Sequence, residues 1–215
     1  MKVAIFSDVH ANLIALETFA QLTKLTVDAY VCLGDIVNYG PWNDECLELI
    51  WNLPNVQIIE GNHERLFAGR DSVTNILPLV KEFYDYSYAS FSRKDLLENL
   101  VPHIFLESYK CQHTIDNLSV YPDTDIDISL SHIIGHTHYQ FQIPRTGFEI
   151  INPGSIGQNR QWINVIDYII FDSDCAEMDF KSAPYDVDRF INELRSRKYS
   201  ENCINYYLNK PRLSY

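Results

Sequence analysis

The chain has 215 residues, 46% of them hydrophobic and 21% charged, which suits one compact domain with a core of ordinary size. Its formal net charge of -12 opposes long polyanions and anionic bilayers, so neither nucleic-acid polymers nor membranes are expected partners, whereas a small phosphorylated substrate stays open because bound cations can reverse the local field. No signal peptide is expected, no apolar run approaches the roughly 18 residues of a membrane helix, and five cysteines without a Cys-x-x-Cys pattern read as reduced thiols of a cytoplasmic protein.

Val3 to Phe6 reads as a buried strand. Leu13 to Leu22 follows as a helix, with Leu13, Leu16, Phe19, Ala20 and Leu22 near helical spacing and Asn12 as N-cap. Ala29 to Leu33 gives a second strand, Asn43 to Trp51 a helix, and Val56 to Ile59 a third strand. This order predicts a parallel sheet with right-handed crossovers. Leu79 to Phe91 reads as an amphipathic helix whose aromatic stripe belongs to the core, and Ser92 as the cap of a shorter helix ending before Pro102. Strand-like runs then span Ile104 to Leu106, Tyr109 to Gln112 and Ile128 to Ile134. Hairpins are expected for Tyr139 to Ile143 with Phe148 to Ile151, and for Ile163 to Phe171 with Ala176 to Phe180. Helices near Val187 to Ser196 and Glu201 to Leu208 close the chain. The expected fold is α/β, two packed mixed β-sheets flanked by helices. Residues 1–184 would form the main domain and 185–215 a helical extension packed on it.

Chemistry-bearing residues gather where strands end. The first strand runs into Ser7-Asp8-Val9-His10, the second into Gly34-Asp35, and the third into Gly61-Asn62-His63-Glu64. Residues two apart on an extended segment share a side, so Asp8 and His10 can reach one cation. Carboxyl ends of neighbouring parallel strands line a common crevice. Gly135-His136-Thr137-His138 follows a fourth apolar run, and one of His103, His113 and His132 is expected to complete the set. Each fragment alone is common by chance; the ordered set of four is not.

With these motifs in place, the sequence resembles the calcineurin-like metallophosphoesterase superfamily, and within it the small bacterial and archaeal phosphodiesterase branch that includes dinucleoside tetraphosphate hydrolase-like members. The stretches Gly34-Asp35-Ile36-Val37-Asn38-Tyr39-Gly40-Pro41, Gly61-Asn62-His63 and Asn152-Pro153-Gly154-Ser155-Ile156-Gly157-Gln158 carry the likeness, which covers nearly the whole chain. The resemblance implies that Asp8, His10, Asp35 and His138 hold one metal, that Asp35, Asn62, His113 and His136 hold the other, and that His63 is a proton donor. It departs from the family pattern at His113-Thr114, where the family reads His-Gly, in a shortened stretch before His113, and at Glu64, where Asp is common. His132 is the rival to His113.

The implied cofactors are two divalent transition metal ions, Mn first, with Fe, Zn, Co or Ni also suited to these donors. The implied activity is a binuclear metal-dependent hydrolase of phosphate esters, a phosphodiesterase or nucleotide pyrophosphohydrolase, with a metal-bridging hydroxide as nucleophile. A phosphomonoesterase or phosphoprotein phosphatase is the alternative, and a non-catalytic metal-binding scaffold the rival of another class. Asn12, Tyr39 and Arg65 are candidate substrate contacts, with plainer readings as a helix cap, a turn residue and a surface arginine. A homo-oligomer is left open.

Overall fold

Alternation along β1 (Lys2–Phe6) sets the layering of the computed structural model, which describes residues 1–214. Val3 and Ile5 point into the space between two sheets, while Ala4 and Phe6 point to the other face, among helices. In chain order, α1 (Leu13–Thr23), β2 (Ala29–Cys32), α2 (Asn43–Trp51), β3 (Val56–Ile58), α3 (Asn62–Phe67), α4 (Pro78–Ser87) and α5 (Lys94–Leu97) follow. Then come β4 (His103–Leu106), β5 (Tyr109–Gln112), β6 (Ser131–Ile133), β7 (Gln140–Arg145), β8 (Phe148–Pro153), β9 (Val165–Asp172), β10 (Glu177–Pro184), α6 (Val187–Ser196) and α7 (Glu201–Leu208).

The strands form two five-stranded sheets, ordered β10-β9-β1-β2-β3 and β4-β5-β6-β8-β7. The first is parallel across β1, β2 and β3, and β9 joins it antiparallel, with Ile5 opposite Ile169. Val31, Leu33, Cys111, Ile133, Ile151 and Phe171 fill the layer between the sheets with Val3 and Ile5. The outer face of the first sheet packs on Phe19 of α1, Leu47 of α2, Phe190 of α6 and Tyr207 of α7. Outside the second sheet, Ile115, Val120, Phe141 and Ile150 form a smaller cluster that receives Ile126 and Ile128.

Expected and observed elements differ at several points. The strand expected over Ile128 to Ile134 is only Ser131–Ile133, because Ile126 and Ile128 bury against the third cluster from an irregular segment instead of extending the ladder. The helix expected from Leu79 to Phe91 ends at Ser87 and tightens into a 3-10 turn, Tyr88–Ser90. There the Asn43 amide donates to the Ser87 carbonyl at 3.3 Å. Ser92 caps no helix; its backbone N–H and hydroxyl donate to Asp44. Leu22 lies off the buried face of α1, which takes Thr23 instead. Among the described residues no helix is long and apolar enough to cross a membrane.

Candidate metal centre

The loops after β1 and β2 are sewn together by backbone hydrogen bonds. The Asp8 N–H donates to the Gly34 carbonyl and the His10 N–H to the Asp35 carbonyl, both at 3.0 Å. Asp8, His10, Asp35, His136 and His138 all have left-handed backbones, with φ of 57°, 51°, 54°, 72° and 63°. Each such residue costs on the order of 1 kcal/mol or more, a strain that clusters at functional sites. The surroundings hold the strained loops in place. The Ser155 hydroxyl and the Gly157 N–H donate to the Asp8 carbonyl at 2.7 and 3.0 Å. Asn152 donates to the Gly135 carbonyl at 2.8 Å and to the Thr137 hydroxyl at 3.1 Å. Gly61 must lack a side chain, since a Cβ there would stand 2.3 Å from Asp35 Oδ1.

The imidazoles are oriented from behind. His113 Nδ1 donates to the Leu33 carbonyl at 2.8 Å, and His138 Nδ1 to the Gln158 carbonyl at 3.0 Å. A carbonyl only accepts, so Nδ1 keeps a proton and Nε2 is the atom presented to the centre. His10 faces the Val37 carbonyl in the same manner at 3.4 Å. His136 is reversed: Nε2 lies 3.0 Å from the Ser119 hydroxyl and Nδ1 lies 2.9 Å from Asn62 Oδ1.

Two donor groups result. Asp8, His10 and His138 form one, with Asp8 Oδ1 3.2 Å from His138 Nε2 and 3.8 Å from His10 Nε2. Asp35, His113 and His136 form the other, with His113 Nε2 3.1 Å from both Asp35 Oδ2 and Asn62 Oδ1. A third, overlapping group joins His10, Asp35 and His63 across the middle. The residues fit divalent transition cations. Among the described residues Asp8 Oδ1 is buried without a hydrogen-bond partner, and the Nε2 atoms of His10 and His138 face each other at 3.2 Å. Two imidazole lone pairs so close repel unless a proton or a cation lies between them. The mixed imidazole, carboxylate and amide oxygen donors are those such cations favour.

The electrostatics agree with a site built for positive charge. Burial opposes ionisation of Asp8, but positive charge on neighbouring His138, with His113 behind, holds its carboxyl at about 2. Burial likewise opposes protonation of His113, but Asp35 raises it to about 10. Burial lowers His10 well below its usual value, and neighbouring His138 and His63 reinforce this.

His63 stands apart from the other imidazoles. Its Nδ1 lies 3.0 Å from the amide nitrogen of Asn38, whose Oδ1 already accepts from the Tyr39 N–H at 2.8 Å and from the Ser87 hydroxyl at 3.4 Å. That arrangement fixes the Asn38 amide as the donor to His63 Nδ1, so the proton of neutral His63 sits on Nε2. This atom faces the centre, 3.9 Å from Asp35 Oδ2.

The structure thus brings Asp8, His10, Asp35, Asn62, His63, His113, His136 and His138 together. It leaves His132 on β6, 3.3 Å from the Gln112 amide, and His103 exposed on β4. Tyr39 lies at the centre, its ring 4.9 Å from that of His10 and 5.3 Å from that of His63. Asn12 does not reach out: fully buried, it accepts from the Ala15 N–H and donates to the Gly157 carbonyl and Tyr185 hydroxyl, so its polar atoms are spent on structure. Arg65 borders a cavity of about 460 Å³ shared with Asn62 and His113, yet its guanidinium forks onto Asp71 with two bonds of 2.9 Å. Asn38, Ser119 and Gln158 are site residues that motif reading did not single out for this role. Glu64 is a fourth, since its carboxylate accepts from the N–H groups of Asp35, Ile36, Val37 and Gly61 at 2.7 to 3.1 Å.

A family model described as "Calcineurin-like phosphoesterase superfamily domain" matches residues 1–175. An uncharacterised protein of Methanocaldococcus jannaschii, MJ0912, is 26% identical, over 93% of this chain and 94% of its own. A crystal structure of a metallophosphoesterase from Sphaerobacter thermophilus is 27% identical and superposes with a TM-score of 0.76, covering 97% of this chain and 98% of that one. The hypothetical protein PH1004 of Pyrococcus horikoshii OT3 shares the fold with a TM-score of 0.83 at 18% identity, covering 96% of this chain and 97% of its own.

Proposed function

The chain belongs to the calcineurin-like phosphoesterase superfamily, and from that premise we propose that it is a metal-dependent hydrolase of phosphodiesters or nucleotide-type pyrophosphates. The observation that carries this reading is the pair of donor groups at the strand ends with the His63 Nε2–H turned between them. In this reading Asp8, His10, Asp35 and His138 hold one cation, Asp35, Asn62, His113 and His136 hold the second, and Asp35 serves both. Two divalent cations held there, Mn by preference, supply charge neutralisation at the phosphoryl oxygens and activation of a water.

This chain's own residues do the rest. The carbonyls of Leu33 and Gln158 keep His113 and His138 turned inward. Asn38 holds the His63 proton on the nitrogen facing the substrate, where it can pass to the departing oxygen. Tyr39 covers the His10 and His63 rings and limits water there. His63 also argues against a purely non-catalytic scaffold, which has no use for an oriented proton donor. The preferred partner is a small phosphorylated molecule, consistent with the acidic surface. The five free thiols suit a reducing compartment such as the cytoplasm.

The test is hydrolysis of bis(p-nitrophenyl) phosphate beside p-nitrophenyl phosphate, after chelator treatment and Mn addition. Turnover that requires the metal and favours the diester is expected. Turnover that ignores the chelator, or that favours the monoester, overturns the reading.

A further inference from the structure

The loop between β8 and β9 supplies much of what holds the first donor group. The Ser155 hydroxyl and the Gly157 N–H donate to the Asp8 carbonyl, the Gln158 carbonyl accepts from His138 Nδ1, and the Arg160 N–H donates to the His138 carbonyl at 3.4 Å. Within the loop the Gln158 N–H donates to the Ser155 hydroxyl at 2.8 Å, so the hold on Asp8 and the hold on His138 are tied to each other. Among the described residues no hydrogen bond from this loop reaches Asn62, His113 or His136; the Leu33 carbonyl and the Ser119 hydroxyl face His113 and His136 instead. The loop therefore serves one half of the centre.

Behind the loop stands a buried carboxyl that the hydrolytic reading does not use. Asp167 lies on β9 and is 7% exposed. Its N–H donates to the Ser155 carbonyl at 3.1 Å. Its Oδ2 accepts from the Asn159 amide at 2.5 Å, and its Oδ1 from the Ser182 hydroxyl of β10 at 2.6 Å. Asn159 is buried too, and its Oδ1 accepts from the N–H groups of Gln161 and Trp162 at 2.8 and 2.9 Å. Those two bonds fix which end of the amide faces Asp167. Gly154 is fitted to the same side chain: its φ is 83°, and a Cβ there would lie 2.5 Å from Asp167 Cβ. Burial pushes the Asp167 carboxyl up and its two donors offset this only in part, so the group sits here at a cost to the fold. On the other flank, Gln158 Oε1 accepts from the Tyr206 hydroxyl at 2.8 Å and its Nε2 donates to the Tyr207 hydroxyl at 3.2 Å. Releasing the Asp167 side thus loosens the loop without detaching it.

We propose that Asp167, acting through Asn159, is a positioning residue for the first metal: it sets the loop that fixes Asp8 and His138 and leaves the second donor group alone. This rests on the two-cation reading above and adds to it an unequal dependence of the two halves. Without the link, Ser155 and Gln158 lose their fixed place. The His138 ring and the strained Asp8 backbone, with its φ of 57°, then lose the support that holds them in a ligating geometry.

The experiment is a swap of the two side chains. Asn159→Asp sets two carboxylates face to face, an arrangement that cannot hold with both ionised. Adding Asp167→Asn restores every bond, because the amide then donates from position 167 to position 159 while its oxygen still accepts from Ser182. Calorimetric titration of chelator-stripped protein with Mn reads both affinities, with His138→Asn and His113→Asn marking the first and the second site. Expected for Asn159→Asp is a loss of about tenfold or more at the first site alone, with a return to within about threefold of wild type in the swapped pair. Asn159→Ala removes the link without adding charge; it should show the same selective loss and carries the comparison where Asn159→Asp does not fold. Equal losses at both sites, no loss at either, or no return in the swapped pair overturn the inference and leave the two-cation reading standing. A wild type that binds a single Mn or none fails that reading instead.

Discussion

At the scale of single residues, the separation of roles between His63 and its neighbours follows from what stands behind each ring. A carbonyl behind Nδ1 turns His113 and His138 into lone-pair donors at Nε2. An amide N–H behind Nδ1 turns His63 into a proton donor at Nε2. Burial lowers His63, chiefly through desolvation, so it is neutral at neutral pH and carries that one proton. His63→Ala is therefore expected to keep its metal content while losing roughly 10²–10⁴ in rate, the range of a general acid. Metal analysis and turnover on a diester with a poor leaving group check this together. Full activity of the variant removes His63 from the chemistry, and loss of metal moves it into the ligand shell.

At the scale of elements, α3 shows how a short helix can position a site. Glu64 is its third residue, and its carboxylate gathers four backbone N–H groups from the β2 loop and from Gly61. Burial and neighbouring Asp35 push that carboxyl up to about 7, while the hydrogen bonds pull the other way. Removing the acceptor leaves those donors buried without partners. Glu64→Ala is thus expected to cost about 3 kcal/mol or more of stability and to loosen Asp35, measured by denaturant unfolding and metal affinity. A variant within about 0.5 kcal/mol of wild type would mean that water replaces the carboxylate.

This role was not legible in the sequence, where Glu64 differs from the family's common Asp and carries no motif chemistry of its own. Strand ends and the acids and histidines gathered there were legible, because buried strands show apolar runs and the Gly-flanked acids and histidines follow at once. The centre's outer partners were not: Asn38, Ser119 and Gln158 lie 25, 17 and 20 residues from the histidines they face. The Ser119 segment is irregular, so no periodicity could place it. The strand expected from Ile128 starts too early because Ile128 looks like a strand residue while packing on the third cluster from a loop.

At the scale of the whole molecule, the fold must carry the buried charge of its centre with or without cations. Without them, burial opposes a charge on His113, but Asp35 at 3.1 Å outweighs it and holds the imidazole at about 10. A histidine raised from 6.5 contributes stability that is complete below that value and fades as pH climbs toward 10. His10, His63 and His136 move the other way, lowered first of all by burial, so acidification below their ordinary value favours the unfolded chain. The metal-free protein is therefore expected to be most stable near pH 6.5, where the two trends cross. Cations change the alkaline limb. A ligand must offer a lone pair, so loading expels the Nε2 proton of His113 while Nδ1 stays on the Leu33 carbonyl. From about pH 6.5 to about 8.5 the apparent metal affinity should rise about tenfold per unit, or ~1.4 kcal/mol for the one proton released. Thermal melts of Mn-loaded and chelator-treated protein, at fixed free Mn, measure this directly: the gap in Tm should widen with pH across that window. A constant gap would show that no proton leaves and that His113 does not hold a metal, because among these imidazoles it is the one raised above neutrality.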